Sequence, residues 1–520
     1  MRICICLIID IVLLFAGYCC AYAQKGPYKL DDIVVTASRV SAPLVEAPAN
    51  VSVITKEDIE DMGATTVTEI FKREPGIFTT NLLNNPKMTQ VDIRGYGETA
   101  SSNVLFLVDG RRINGIDMSG ADLSQIPIDM IEKVEIYRGP ATVMYGDNAI
   151  AGAINFIMKK GEGKPSAKAG IIAGSDGLFA PKLSVSGKQE KLTYYALASS
   201  YDTDGDRHNN ALHMKDLFGN FTFDAIKNLS FSFQAGHHRD TYGMPGPLSF
   251  TDLTTGKYGR KDSETPDDQA SSEDNFVNLG ADVGFGEHVK LSLNGSYRLR
   301  HNSSAWALNE WYTMRSFETY GFTPKISVNV PIVGLKNTFV AGFDYYNNPA
   351  NSKDFSPGVW ATDSTTKIKK TDYAFYANDE ITLFKNLSLG MGYRTQKSFW
   401  DINYTDNLGF TDPIDSTVND RNDAFRTSAN YLLGKKGNIF VTYAKGFRTP
   451  ATDELFSSFA VPPINRDLKT QVAREVDAGV RYNFTEWVGG SLTWFQSKTD
   501  NEIYYNPLPF VNANYDKTHR

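Results

Sequence analysis

After residue 20 the chain contains no cysteine: all four, Cys4, Cys6, Cys19 and Cys20, lie at its amino-terminal end. With that end removed, disulfides, reactive thiols and cysteine metal sites are excluded. Long apolar runs are missing as well. Beyond Ala23 nothing approaches the ~18 consecutive apolar residues of a membrane-crossing helix. The one way left through a bilayer is a closed β-barrel, in which backbone groups pair with one another. Positive charge is not in excess: 53 lysines and arginines against 60 aspartates and glutamates leave a formal net charge of −7. That balance argues against a nucleic-acid partner. No nucleophile–base pair or carboxylate dyad stands at useful spacing, so an enzyme is not expected.

What is present begins with a leader. Met1 to Ala23 combine Arg2, an apolar stretch from Ile3 to Ala16, and Ala21-Tyr22-Ala23 ahead of Gln24, the small-x-small pattern of signal-peptide cleavage. Asp10 interrupts the apolar stretch. A lipid anchor on Cys19 or Cys20 fits less well, because Tyr18 and Cys19 are the residues that precede them. With 41% hydrophobic and 12% aromatic residues, the chain is too apolar for disorder and can build a large core or a barrel wall.

From about Pro165 onward the texture is that of aromatic-rich strands. Leu192 to Tyr201, Leu229 to His237, Val289 to Arg300, Thr338 to Tyr346, Tyr373 to Leu383, Leu387 to Lys397, Asn438 to Phe447 and Glu475 to Phe484 are the clearest. Phe231, Phe233 and Ala235 alternate with Ser232, Gln234 and Gly236, the period of a sheet with one face in lipid. Short joins (Ala225 to Asn228, Phe285 to His288, Phe384 to Asn386, Gly434 to Gly437, Thr485 to Trp487) alternate with long polar ones. The long ones are Thr203 to Lys215, Arg239 to Ser272, Asn348 to Thr366, Phe399 to Asn422 and Arg448 to Val472. Outer-membrane barrels show this parity, with short periplasmic turns and long external loops. Roughly 15 to 16 strands are expected before the chain stops at Arg520.

Ahead of the barrel lies a small α/β domain. Val51 to Thr55 reads as a strand. Thr55-Lys56-Glu57-Asp58 has the form of a capping box opening a helix through Met62, and Thr66 to Arg73 reads as a second short helix ended by Glu74-Pro75-Gly76. Val91 to Gly95 follows as a strand. Val104 to Val108 is an apolar buried strand, and Asp109-Gly110 supplies the positive φ of a tight turn that returns Arg111-Arg112-Ile113 beside it. Glu132 to Tyr137 and Ala153 to Met158 are two more strands. The glycine-rich stretch between them reads as a connection rather than a helix. Nearer the leader, Asp31 to Arg39 holds a short β-branched run followed by Pro43 and Pro48. It is suited to strand addition on a partner's sheet edge, or to serve as the first strand of the α/β domain.

Asp109-Gly110, Ile126-Pro127, Ile131-Glu132-Lys133-Val134-Glu135, Arg138-Gly139-Pro140, Tyr145-Gly146 and Gly152-Ala153-Ile154-Asn155 together resemble the plug-domain signature of TonB-dependent outer-membrane receptors. Tyr443 to Phe456 resembles the family's late-barrel motif. The resemblance covers nearly all of the chain after the leader. It implies a mostly-β fold: a transmembrane antiparallel β-barrel of about 22 strands when complete, its C-terminal part missing here, with a small α/β plug inside. The implied division is 1–23 signal peptide, 24–45 periplasmic segment, 46–160 plug and 165–520 barrel. Asp32, Ile33, Val34, Val35, Thr36 and Ala37 match the TonB box, the segment on which the inner-membrane TonB complex pulls. The resemblance places Arg94-Gly95 inside the barrel, where a structural ion pair with wall carboxylates is expected for Arg94 and for Arg138. Gly139, Tyr145, Gly146 and Gly152, with Asp109 and Gly110, are expected as structural plug residues.

The implied function is energy-coupled uptake of a scarce metal chelate across the outer membrane of a Gram-negative bacterium, a ferric siderophore in the first instance and cobalamin as the alternative. Outer-membrane lipid and TonB are the other expected partners. No resident cofactor or metal is expected. A passive pore or adhesin, or an inactive truncated barrel, are the readings from other classes; an exposed pairing strand separates the receptor from the pore. For ligand contact the plug tips Asn81 to Lys87 and Tyr96 to Ser102 offer Asn85 and Tyr96. The top of one strand offers Arg239 and Tyr242, a cation and an aromatic for an anionic chelate; both could equally belong to an aromatic girdle and ordinary turns. His237-His238 point to opposite faces of a strand and cannot chelate one ion together. Asp202-Thr203-Asp204-Gly205-Asp206 has its glycine too early for a calcium loop, and Gly161 to Lys164 lacks phosphate-loop spacing and reads as a linker.

Overall fold

The computed structural model describes residues 34–35 and 42–520 apart from 84, 308–309, 356–363, 408, 410, 459, 461, 486–487 and 508–510. The leader and the box residues Asp32, Ile33, Thr36 and Ala37 lie outside the described residues. The first elements are two-residue strands, β1 (Val34–Val35) and β2 (Ala42–Pro43), paired antiparallel. β3 (Asn50–Thr55) then leads directly into α1 (Lys56–Met62). The switch from strand to helix is made at Thr55. Its hydroxyl accepts from the Asp58 amide while the Asp58 carboxylate accepts from the Thr55 amide, the expected capping box. Gly63, in the left-handed conformation, ends the helix. α2 (Val67–Ile70) is shorter than expected and tightens into a 3₁₀ turn over Phe71–Arg73 before Pro75.

β4 (Ile77–Asn81) and β5 (Thr89–Ile93) form a hairpin of their own. Next come α3 (Ala100–Asn103), β6 (Val104–Val108), β7 (Arg111–Arg112) and β8 (Ile131–Arg138). α4 (Thr142–Tyr145) and β9 (Gly152–Met158) complete the domain. The main sheet has the order β3-β8-β9-β6-β7, parallel only between β6 and β9. All five residues of β6 are buried. Asp109 and Gly110 both take positive φ, 47° and 83°, making the expected tight turn. One expectation needs correcting: the connection between β8 and β9 holds a helical turn, α4. Every residue of that turn is buried, so packing supplies what the local sequence does not.

The remaining chain is one antiparallel sheet in which neighbouring staves pair in chain order, one stave being built of two strands. Its first half comprises β10 (Ser166–Ala173), β11 (Phe179–Gln189), β12 (Leu192–Thr203), β13 (Leu212–Ile226), β14 (Leu229–Gly243), β15 (Gln269–Phe285), β16 (Val289–Trp306), β17 (Trp311–Phe322) and β18 (Lys325–Val328). The second comprises β19 (Asn337–Phe355), β20 (Ser364–Leu383), β21 (Leu387–Asp406), β22 (Ile414–Leu432), β23 (Gly437–Arg448), β24 (Gln471–Asn483), β25 (Gly489–Asn506) and β26 (Val511–His519). β17 and β18 are one stave broken at Thr323-Pro324, since both pair with β16 and β19. Proline cannot donate to a ladder. Among the described residues the end strands β10 and β26 do not pair with each other.

Alternation holds as expected. Phe231 and Phe233 lie on the outer face, 47% and 41% exposed, while Gln234, next along the same strand, is buried against the plug. The loops are shorter than the sequence suggests. The stretches read as loops over 348–366 and 399–422 are largely strand, with ladder pairs running out to Asp354↔Ser364 and Tyr404↔Ile414. Beyond the hydrocarbon both faces of a strand meet water, so apolar alternation fades while backbone pairing continues.

The outward face makes a quantitative expectation. Leu279 is 57% exposed at the middle of β15, whereas its neighbour Asn278 faces inward near Gln234. Leu279→Arg should destabilise the membrane-inserted protein by about 2–4 kcal/mol, and Asn278→Ala by far less. Urea titration of the protein folded into vesicles measures both, and equal effects would contradict the assignment of faces.

Candidate functional site

The plug is attached to the barrel wall by buried ion pairs. Arg94 follows β5 in a left-handed conformation, φ 67°, which turns its side chain outward to β24. One guanidinium nitrogen meets Glu475, the other lies 2.6 Å from Asp477, and the group sits over the Phe495 ring at 4.3 Å. Gly139, φ 98°, lies against this clasp: a Cβ there would stand 2.6 Å from the Glu475 carboxylate. Gly146 has the same role beside Arg394, with 2.6 Å to a guanidinium nitrogen. These glycines are places where charged wall groups touch plug backbone. Arg138 behaves differently from Arg94. It bonds Glu74 at 2.5 Å, Ser52 at 2.9 Å and the Pro75 carbonyl at 2.9 Å, all within the plug.

A second clasp forms at Asp147, whose carboxylate accepts from Lys370 of β20 at 2.6 Å and from the Thr449 amide at 2.9 Å. Burial opposes its ionisation, yet the charges of Lys370 and Arg112 prevail and hold it down at about 2. The third is at Lys87, 3% exposed, which reaches Asp122 of the plug at 2.5 Å and Asp240 of β14 at 2.6 Å. Burial opposes its charge, but the two carboxylates hold the ammonium well above its usual value. His238 extends the cluster, its two ring nitrogens 2.7 Å from Asp216 and 2.7 Å from Asp240. His237, on the outer face, bonds Asn275 instead, so the two histidines do diverge. Among the described residues no group of three or more His, Cys, Asp or Glu could hold a metal ion.

The residues proposed for ligand contact are scattered by the fold. Asn85 is buried and donates to Asn210 of the loop after β12 at 3.0 Å. Tyr96 is buried against β25, with the Arg520 guanidinium 3.9 Å from its ring centre. Tyr242 faces inward, its ring 5.1 Å from the Lys87 ammonium. Arg239 lies on the exposed outer face of β14, away from the other three. Asp109 bonds Gln234 of the wall at 2.6 Å and the Met158 amide at 3.1 Å, while Gly110 donates to Asn155 at 3.1 Å. Gly152 lets β9 approach Tyr137, whose carbonyl would be 2.4 Å from a Cβ there. Tyr145 is buried in α4. Of the N-terminal box, Val34 and Val35 form β1, which among the described residues pairs only with β2.

Sequence reasoning passed over a contact at the plug tip. The loop after β23 folds inward through α5 (Thr452–Leu455), whose first residue donates to the Ile116 carbonyl at 2.9 Å. Met118 in turn donates to Asp453 at 3.2 Å. Burial and then the charge of Asp117 push the Asp453 carboxyl up to about 7 against the pull of Arg315. The carboxylates are 336 positions apart in sequence, 453 less 117, so no local spacing announces the pair.

The region 43–153 matches the family model described as the TonB-dependent receptor plug domain, and 193–520 matches the TonB-dependent receptor-like β-barrel. The chain is similar to the vitamin B12 transporter BtuB of Vibrio vulnificus strain CMCP6, 24% identical over 493 residues that cover 92% of this chain and 72% of that protein. Its fold resembles the unliganded ferric citrate transporter FecA, with TM-score 0.79, 18% identity and coverage of 90% and 73%. It also resembles the ferric yersiniabactin uptake receptor FyuA of Yersinia pestis, with TM-score 0.75, 17% identity and coverage of 91% and 74%.

Two expectations follow from the clasps. Lys87→Met leaves Asp122 and Asp240 facing each other without their cation and should weaken plug attachment by about 3–5 kcal/mol, read as protease sensitivity of the plug in urea. At Asp453 the folded value stands above the ordinary 3.8, so the folded site prefers the neutral acid. Its contribution is full below pH ~4 and lost as pH rises toward 7. Asp453→Asn should therefore stabilise the protein at pH 8 and lose that advantage near pH 4, measured by thermal unfolding at both values.

Proposed function

The chain belongs to the TonB-dependent receptors, outer-membrane barrels of Gram-negative bacteria, and from that membership we propose that it takes up a ferric siderophore by energy-coupled transport. The observation that carries the reading is the set of buried plug–wall ion pairs at Arg94, Asp147 and Lys87. These pairs fix the plug in one seat that fills the lumen, so passage requires displacing the plug from that seat, and outside work supplies the displacement. The proposed handle for that work is Asp32 to Ala37. Its described part, β1, has one edge that no strand occupies among the described residues, an arrangement suited to strand addition by TonB.

An iron chelate as ligand is supported by two things: the solved proteins of like fold include a ferric citrate transporter and a ferric yersiniabactin uptake receptor, and the lumen is rich in buried arginine. Arginine pairs bidentately with the carboxylate and catecholate oxygens that chelators present. The second reading, cobalamin, is favoured by the resemblance to the vitamin B12 transporters.

The test uses cells whose iron and cobalamin uptake depends on this protein, with the unaltered chain and a Val34→Pro/Val35→Pro variant. Proline removes the backbone donors that strand addition needs while leaving the cup untouched. Uptake of a ferric siderophore by the unaltered protein alone, with surface binding equal in both, is the expected result. Uptake of cobalamin alone transfers the assignment to the second reading, and uptake indifferent to the prolines defeats energy coupling through this segment.

A further inference from the structure

The inward face of β16 is polar from end to end: Ser292, Asn294, Ser296, Arg298, Arg300 and Asn302 occupy alternate positions, while Leu293, Tyr297 and His301 lie on the other face. Arg298 is held in place. It bonds Asp274 of β15 through two nitrogens, at 2.9 and 2.5 Å, and donates to two plug groups, the Ile113 carbonyl at 2.8 Å and Gln125 at 2.8 Å. Its neighbours are not saturated. Arg300 is 4% exposed, and among the described residues its Nε and one Nη have no hydrogen-bond partner; the Asp117 carboxylate at the plug tip stands 3.9 Å away. Arg111, on the plug hairpin, also has buried Nε and Nη atoms without hydrogen-bond partners among the described residues. Each guanidinium lies over an aromatic ring that fixes its plane, Arg300 over Phe317 at 4.5 Å and Arg111 over Phe276 at 4.0 Å.

Below these arginines, toward the end with the short turns, lies a cavity of about 480 Å³ between plug and wall. Its charged lining is Arg111, Lys133, Lys160, Lys290 and Lys325 against Asp109 and Asp282, five cations to two carboxylates. Above them, Arg315 on β17 stands opposite Asn302 and is exposed at the mouth. Positive groups therefore run from the cup, past the plug tip, to the opposite opening. Successive inward positions on a strand are ~6.7 Å apart, close enough for one chelate to touch two at once.

We propose that β16 and the plug hairpin form the guiding wall of the translocation path, with Arg300, Arg298 and Arg111 as successive contacts for an anionic ligand. This rests on the siderophore reading for the ligand, but the wall itself is defined by position. Buried guanidinium N–H groups without acceptors are rare in folded proteins, and a passing anion supplies what they lack. The resting plug covers the wall with Asp117, the Ile113 carbonyl and Gln125; plug displacement removes all three together and leaves the wall arginines Arg298 and Arg300 to the ligand, while Arg111 lines the path from the plug side.

The chain lacks cysteine beyond residue 20, so one introduced thiol reports cleanly. Ser296→Cys places it in the cavity wall. In isolated outer membranes it should react about tenfold faster with a sulfonated methanethiosulfonate than with a trimethylammonium one, after correction for their rates with a free thiol. Arg111→Gln/Arg300→Gln should reduce the preference severalfold, the four lysines of the lining retaining part of it, and Arg111→Lys/Arg300→Lys should keep it in full, which separates charge from folding; a preference unchanged in the glutamine pair overturns the role of the two arginines. Equal rates in the parent overturn the proposal. The same pairs of substitutions are then assayed in cells with radioiron on an anionic citrate chelate and on a neutral trihydroxamate. The glutamine pair should slow uptake of the anionic chelate about tenfold with surface binding unchanged. If the parent imports the anionic chelate and the glutamine pair imports it at the same rate, the wall is not the path. If the parent imports neither, the siderophore reading fails while the thiol experiment still decides the wall.

Discussion

A bilayer offers no hydrogen-bond partner to a peptide group, and this constraint organises the whole molecule. Neighbouring staves from β10 to β26, with β17 and β18 as one broken stave, are joined by antiparallel ladders, because an unpaired N–H in hydrocarbon costs several kcal/mol. The ladder in turn imposes a period of two. Apolar side chains such as Leu279 and Phe233 take the outer face, and within that apolar band polar side chains such as Gln234 and Asn278 are sent inward. The lumen is consequently rich in charge, and a lumen rich in charge must be filled by something that matches it.

The plug meets that requirement from its own sheet. Its core of Val104, Phe106, Ile136, Ile154 and Phe156 is an ordinary apolar one, sufficient to fold a small domain. Its rim is not ordinary: Lys87, Arg94, Asp109 and Asp147 all reach wall groups of complementary charge or hydrogen-bonding character. Such pairs add little to net stability compared with apolar packing, since desolvation offsets most of their attraction. What they provide is a defined seat for the plug together with a surface that water and a polar ligand can replace once the plug moves. An apolar plug–wall contact would leave a hydrophobic passage behind it; an ionic one leaves a hydrophilic passage.

The distribution of satisfied and unsatisfied groups within the lumen is uneven. On the side of β20 to β24 the buried charges are mostly engaged, as at Arg394 with Asp344 and Arg448 with Glu454, the Nε of Arg426 being an exception among the described residues. On the side of β16 and β17 they are engaged partly by plug groups and partly not at all. The cavity between plug and wall opens on that same side. A lumen of one overall chemistry thus has a firmly bonded side and a loosely bonded one.

Most of the architecture was legible in the residues. Alternation in Phe231 to Gly236 set the faces of β14, Asp109-Gly110 set the β6–β7 turn, the Thr55–Asp58 box set the start of α1, and the parity of short and long joins set the order of the sheet. These are properties of neighbours in sequence, governed by backbone geometry and by the period of a strand. Strand ends beyond the hydrocarbon were less legible, because there both faces are wet and only the ladder remains. The helical turn α4 was hidden for the converse reason, since its support comes from packing. The site was legible in its residue types and hidden in its pairings. Arg94 and Glu475 are 381 residues apart, and Lys87 and Asp240 are 153 apart. Arg239 and Tyr242, three residues apart, end on opposite faces of β14. Sequence by itself determined the fold class, the faces of the strands and the turns that join them. Which charge meets which was decided only when the sheet curved around the plug, because an ion pair depends on distance in space and the sequence encodes distance only along the chain.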